Sequence, residues 1–272
     1  MRKTISKLLT VISTLVSIAF MFIPESLFEK YILFSKWSVE LNIIINRILF
    51  SLILACITIL AYVIYKYNRK KIVLKGKDYI IEVKYGDIKK EKNCKKVINF
   101  DECYTTEIGD LPHQIKENSI CGQYLLQHTD LDINNLILKN KIKQCNTNSK
   151  FNNKIRYASG TIIPNGDDLL MAFAKLDEEG LGKFFSNKEY LESLSNLWKE
   201  IDKYYGQNDV CIPILGSGLT RINDASLSQQ ELLTKIILSY KLSPYKIKKP
   251  YKLRIICKKN DDFSLNKIEE EL

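Results

Sequence analysis

An α/β fold carried behind two apolar helices is the architecture this sequence predicts, and three observations support it. Two long stretches with almost no charge fill the first quarter of the chain. After Lys71, strand-like and helix-like periodicities alternate, the pattern of a mixed sheet flanked by helices on both sides. Late in the chain a strongly apolar strand runs straight into a glycine-rich turn, Gly216-Ser217-Gly218, with a helix shortly after.

The first apolar stretch, residues 8–24, has no charged residue and is near the lower length limit for a membrane span. The second, residues 43–65, contains one charge, Arg47, near enough to an end for its long side chain to snorkel. Tyr62, Tyr65 and Tyr67 crowd the other end, as an aromatic belt does. Arg2, Lys3 and Lys7 precede the first stretch, and Lys66, Arg69, Lys70 and Lys71 follow the second. The positive-inside rule therefore predicts a multi-pass segment with both termini cytosolic and a short external connection. The first stretch is long and is followed by a second span, so a cleaved leader is not expected. The predicted organisation is a membrane region at 1–71, a folded domain at 72–260 and an acidic, frayed tail at 261–272.

The net charge is +10, from 41 basic and 31 acidic residues. A positive-inside bias and a lysine-rich surface account for it, with anionic lipid or an anionic ligand as partners. The aromatic and basic interleaving of a nucleic-acid surface is missing, so no nucleic-acid partner is expected. The seven cysteines form no C-x-x-C pair and their spacing is irregular, which argues against a zinc site or a disulfide framework. Cys211 and Cys257 fall in β-like runs, where a reduced thiol packs as a small hydrophobe.

Within the domain, residues 72–75, 79–88 and 97–100 are expected as strands. Residues 119–138 suggest a helix interrupted near His128 to Asp132, and residues 139–154 a lysine-rich loop. Residues 159–164 and 168–176 are strands joined at Asn165-Gly166, a hairpin signal. Residues 187–205 are an amphipathic helix presenting Leu191, Leu194, Leu197 and Trp198 on one face. Residues 209–215 form a buried strand, 226–242 a helix capped by Ser226 or Ser228, and 251–259 a last strand.

The glycine-rich turn is the most informative segment for function. Glycine lets backbone N–H groups approach a ligand, and successive N–H groups form an anion nest. By itself Gly-Ser-Gly is equally a tight turn. It is not a Walker loop, because no Gly-Lys-Ser/Thr follows, and it is not G-x-G-x-x-G. The second feature is Tyr85-Gly86-Asp87-Ile88, a strand ending in a carboxylate that can accept from an adenine amino group or simply close a turn.

A strand ending in Gly-Asp-Ile, a short strand of Val-Ile-Asn type, and a late strand ending in I-P-x-L-G-S-G-x-x-R together resemble the macro domain, over about residues 78–259. That resemblance implies an ADP-ribose derivative as ligand, with no cofactor or metal. Adenine would lie at Asp87 and Ile88. The distal ribose would lie in the loop from Asn99 to Thr105, including Asp101, Glu102 and Tyr104. The diphosphate would lie on Gly216, Ser217, Gly218, Leu219, Thr220 and Arg221. The hydrolytic members carry N-A-A-N and a glycine run in the first loop. Here Asn99-Phe100-Asp101-Glu102 stands instead, with Glu102 in place of the second asparagine, so the resemblance favours binding over catalysis. The alternative is a membrane-tethered ADP-ribosyl hydrolase using Asp101 or Glu102 as base.

Two membrane helices followed by such a domain also resemble the membrane effectors of type II Thoeris anti-phage systems. This likeness implies a bacterial inner-membrane protein and a TIR-domain enzyme as functional partner. It further implies a histidine conjugate of ADP-ribose as signal, and a homo-oligomer that disrupts the membrane. Ser119-Ile120-Cys121-Gly122-Gln123 resembles that subgroup's S-x-x-G-Q motif, which adds Gln123 as a ligand contact; the same residues also make an ordinary helix start. His113 and His128 have no serine or cysteine at triad spacing and are expected in surface or structural roles.

Overall fold

The computed structural model describes residues 2–30, 37–184, 186–218, 220–222, 227–260 and 263–271. The chain divides into two compact units, residues 1–69 and 70–272.

The first unit contains α1 (Arg2–Phe22), the short α2 (Ser26–Glu29) and α3 (Val39–Tyr67). At 1.5 Å per residue, α3 is roughly 43 Å long and α1 roughly 31 Å, against a hydrocarbon layer of about 30 Å. Both are long and apolar enough to cross a membrane. Large apolar side chains stand exposed along both, such as Leu9 and Met21 on α1 and Leu52 and Leu60 on α3, a surface that water would penalise. Hydroxyls on α1 are satisfied within the helix: Thr10 donates to the Ser6 carbonyl, Thr14 to that of Thr10 and Ser17 to that of Ser13. Arg47 is neutralised locally as well. Its guanidinium lies 3.3 Å from the Glu25 carboxylate and over the rings of Phe20 and Phe28.

The second unit is a mixed sheet with helices on both faces. Its strands are β1 (Lys71–Lys75), β2 (Ile80–Tyr85), β3 (Cys94–Asp101), β4 (Ile162–Asn165), β5 (Asp168–Leu176), β6 (Gly182–Phe184), β7 (Asp209–Pro213), β8 (Arg221–Ile222) and β9 (Leu253–Cys257). The order across the sheet is β1-β2-β9-β7-β3-β5-β6-β8, with β4 also pairing with β5. The central run β2, β9, β7, β3, β5 is parallel throughout. Its strands therefore end along one edge, where open α/β sheets bind ligands.

Period-2 alternation sorts side chains between two cores. On β5, Leu169, Met171 and Phe173 face one core, and Leu170 and Ala172 the other. The larger core is closed by α6 (Asn187–Tyr204) and α7 (Gln229–Leu242), the smaller one by α4 (Ile120–Gln127) and α5 (Ile133–Lys139).

Several expectations need correction. The buried face of α6 consists of Tyr190, Leu194, Leu197, Trp198 and Ile201, whereas Leu191 is exposed. The hairpin turn is Gly166-Asp167, because Asn165 pairs with Asp168; Gly166 takes φ +62, the positive value that a primed turn needs there. Helix α7 starts after Ser228, which forms a reciprocal capping box with Glu231; Ser226 lies outside the described residues. Residues 263–271, expected in a frayed tail, are packed. Leu265–Glu271 form α8, Phe263, Leu265 and Ile268 are buried in the larger core, and the Tyr85 hydroxyl bridges the Phe263 carbonyl and the Leu265 N–H.

Candidate functional site

A cleft of about 520 Å³ opens along the carboxyl ends of β2, β9, β7, β3 and β5. Gly86, Asp87 and Ile88 line it after β2, Ile256 and Lys258 at β9, and Ile214, Gly216, Ser217, Gly218 and Thr220 after β7. Asn99, Phe100 and Asp101 line it at β3, and Phe173, Ala174 and Leu176 at β5. From β2 to β5 is four inter-strand steps of about 4.8 Å, so the floor is roughly 19 Å long. That length suits a ligand with two linked sugar units better than a single base.

At the β2 end the Asp87 side chain is exposed, and one of its oxygens accepts from the Lys89 N–H, closing a single 3-10 turn. Ile88 is buried beneath it against Cys94, Cys211 and Ile256. At the centre, Gly216 has φ +87, a left-handed value that favours glycine. A Cβ added at Gly218 would meet nothing, so bare backbone faces the cleft there. The Ser217 hydroxyl donates to the Ile214 carbonyl at 2.7 Å and fixes the turn.

The structure separates the first-loop residues that the sequence groups together. Asn99 and Asp101 line the cleft. One Asp101 carboxylate oxygen accepts from the N–H groups of Cys103 and Thr105, at 2.8 and 3.2 Å. Burial raises the pKa of this carboxyl despite those bonds. Burial, reinforced by Asp101, also pushes the Cys103 thiol up to about 12. Glu102 lies outside the lining of the cleft. Its buried carboxylate accepts from the Ser149 hydroxyl at 2.6 Å, the Leu176 N–H at 3.1 Å and the Arg156 guanidinium at 3.3 Å. Tyr104 is also in the core: its hydroxyl donates to the Thr161 carbonyl and its ring packs between Phe100 and Tyr157. Thr105 does not line the cleft.

Gln123 acts one step back from the cleft. Its side-chain oxygen accepts from Lys89 Nζ at 2.9 Å, tying α4 to the turn after Asp87. Ser119 caps α4 by accepting from the Gly122 N–H. A Cβ at Gly122 would fall 2.3 Å from the Lys116 carbonyl oxygen, so glycine permits the preceding loop to pack there. The motif S-x-x-G-Q therefore fixes the cleft wall, to which Ser119, Ile120 and Cys121 contribute. Arg221 stands in β8 beside Lys183 and not in the lining, and Leu219 lies outside the described residues.

Sequence reasoning missed the wall formed by Pro112 to Lys116, together with Gly180, Gly182 and Gln229. His113, expected in a surface or structural role, lines the cleft and stacks on Phe151 at 5.1 Å. His128 stacks on Tyr124 away from it. Among the described residues no group of three His, Cys, Asp or Glu side chains comes together as a metal site.

Residues 81–258 match the family model described as Thoeris protein ThsA, Macro domain. Over 253 residues the chain is 32% identical to Thoeris protein ThsA of Bacillus amyloliquefaciens (strain Y2), covering 90% of this chain and 83% of that protein. Solved structures that it resembles include a mutant Oceanobacillus iheyensis macrodomain with ADPR, at 11% identity, 71% and 92% coverage and TM-score 0.44. Another is the macrodomain of the same organism with ADP, at 10% identity, 74% and 98% coverage and TM-score 0.43.

Proposed function

The chain belongs to the Thoeris ThsA macro-domain family, and from that premise we propose that it is a membrane-anchored anti-phage effector whose macro domain senses an ADP-ribose-derived signal. The observation that carries this reading is the long cleft across five parallel strand ends, with an exposed aspartate at one end and a bare glycine turn at its centre. Asp87 offers an acceptor to the adenine amino group. The Gly216–Gly218 turn leaves room for a diphosphate against backbone. A histidine conjugate of ADP-ribose, made by a partner TIR-domain enzyme, is the signal of choice.

The protein acts as a binder, with no catalytic step of its own. A hydrolase at this site needs a carboxylate free to activate water, and the structure supports binding instead. The Glu102 carboxylate accepts three internal hydrogen bonds, and an Asp101 oxygen accepts two backbone N–H groups. Signal binding shifts a self-association equilibrium, which requires tighter binding to the assembled state than to the monomer. The two apolar helices then act on the lipid bilayer of the bacterial inner membrane, with both termini cytosolic. The test is dye release from liposomes carrying the full chain. Release on adding the signal, lost in Asp87→Ala, supports the proposal; sealed liposomes at saturating signal overturn the effector reading.

A further inference from the structure

The first loop of the site is held by its own contacts. The carboxylates of Asp101 and Glu102 bind the surrounding backbone and side chains, and Tyr104 is in the core. What faces the β5 end of the cleft is a different segment, residues 112–116. Residues 107–116 form a small loop closed by a parallel bridge between Ile108 and Ile115. The Ile115 N–H donates to the Glu107 carbonyl, the Gly109 N–H to the Ile115 carbonyl, and the Gln114 side chain bridges the Glu107 carboxylate and the Leu111 N–H.

At its tip His113 stacks on Phe151 with the rings 23° apart, and its Nε2 lies 4.0 Å from a Glu107 carboxylate oxygen. Gly180, at φ +83, makes room for it: a Cβ there would fall 2.4 Å from His113 Cβ. The fold thus reserves space for this ring, orients it by stacking and sets it in the wall of the cleft, four strands away from Asp87.

We infer that His113 is the specificity-determining residue for the part of the ligand beyond the diphosphate, contacting it through the imidazole N–H. The inference rests on the ADP-ribose reading of the cleft. It assigns recognition of the terminal sugar, and of anything attached to it, to the bridged 107–116 loop and not to the first loop.

The test compares ADP with ADP-ribose, which differ only by the terminal ribose. Each is titrated calorimetrically into the full chain in detergent micelles, as wild type, His113→Phe and His113→Gln. Phenylalanine keeps the stack on Phe151 and removes the ring N–H; glutamine restores a donor. Loss of one hydrogen bond to a ligand hydroxyl predicts about tenfold weaker ADP-ribose binding in His113→Phe. ADP affinity should stay unchanged, which also shows that the variant is folded, and His113→Gln should recover part of the loss. Equal weakening toward both ligands, or no change toward ADP-ribose, overturns the inference while leaving the cleft assignment standing. A wild-type chain that binds neither ligand overturns the cleft assignment and this inference together.

Discussion

Replacing Glu102 with alanine separates a ligand-binding role from a structural one. The carboxylate is 3% exposed and holds three partners from two segments: Ser149 and Arg156 between α5 and β4, and the Leu176 N–H at the end of β5. Removing it leaves the Ser149 hydroxyl and the Leu176 N–H without that acceptor in a buried setting, at about 1–3 kcal/mol each. Arg156 adds little, because its guanidinium keeps hydrogen bonds to Thr147 and is part-exposed. The expected loss is about 3 kcal/mol. For a domain of roughly 200 residues that lowers the melting temperature by about 6–12 °C. Glu102→Gln keeps an accepting oxygen and should lose about 1 kcal/mol. Thermal unfolding of the full chain in detergent measures both, with ADP-ribose titration alongside. An unchanged melting temperature combined with abolished binding would refute the structural role and return Glu102 to the ligand.

Gly122→Ala places a methyl group 2.3 Å from the Lys116 carbonyl oxygen and 3.0 Å from Glu117 Cα. It should displace the cleft wall, costing about 2 kcal/mol or more and weakening ADP-ribose binding in the same titration. Leu197→Ala, at a fully buried position, should cost about 2–5 kcal/mol, while Leu191→Ala on the exposed side of the same helix should stay within about 0.5 kcal/mol; chemical denaturation compares them. Ser228→Ala removes the capping box of α7 and should cost about 1 kcal/mol by the same method. Burial raises the Asp101 pKa, so just above the ordinary carboxylate range the folded state keeps a proton that the unfolded chain has released. Stability from this group is therefore present at lower pH and lost as pH rises through the raised value; Asp101→Asn should flatten that part of a melting-temperature profile against pH.

Much of the fold was legible because burial imposes a period. Residues 168–176 match β5 in full, since a strand with both faces covered is apolar throughout. The polar interruption at His128 to Asp132 marked the break between α4 and α5, where Asp132 caps the second helix. Residues 182–184 and 221–222 pair as β6 and β8, but two or three residues are too few to show alternation. Leu191 was misplaced because the helical stripe is broad, and Tyr190 occupies the inward position beside it.

The lining of the cleft was legible where the backbone itself turns at a strand end, at Gly86-Asp87 and at the glycine turn. The arrangement was hidden where a side chain is committed to partners far along the chain. Nothing near Glu102 in sequence announces Ser149, Arg156 or Leu176. The 107–116 loop was invisible for a related reason: it is polar and short, and a parallel bridge and its own side chains hold it closed.

The sheet order has a temporal side. β2, which positions Asp87, borders only β1 and β9, and β9 is the last strand of the chain. The glycine turn follows β7, on the far side of β9. Residues 253–257 lie between them and set the separation of the two halves of the cleft. At about 5–20 residues per second, roughly ten to thirty seconds of translation separate the making of β2 from the making of β9. A nascent chain thus carries its apolar helices well before β9 is made, and the cleft is complete only once β9 has been added.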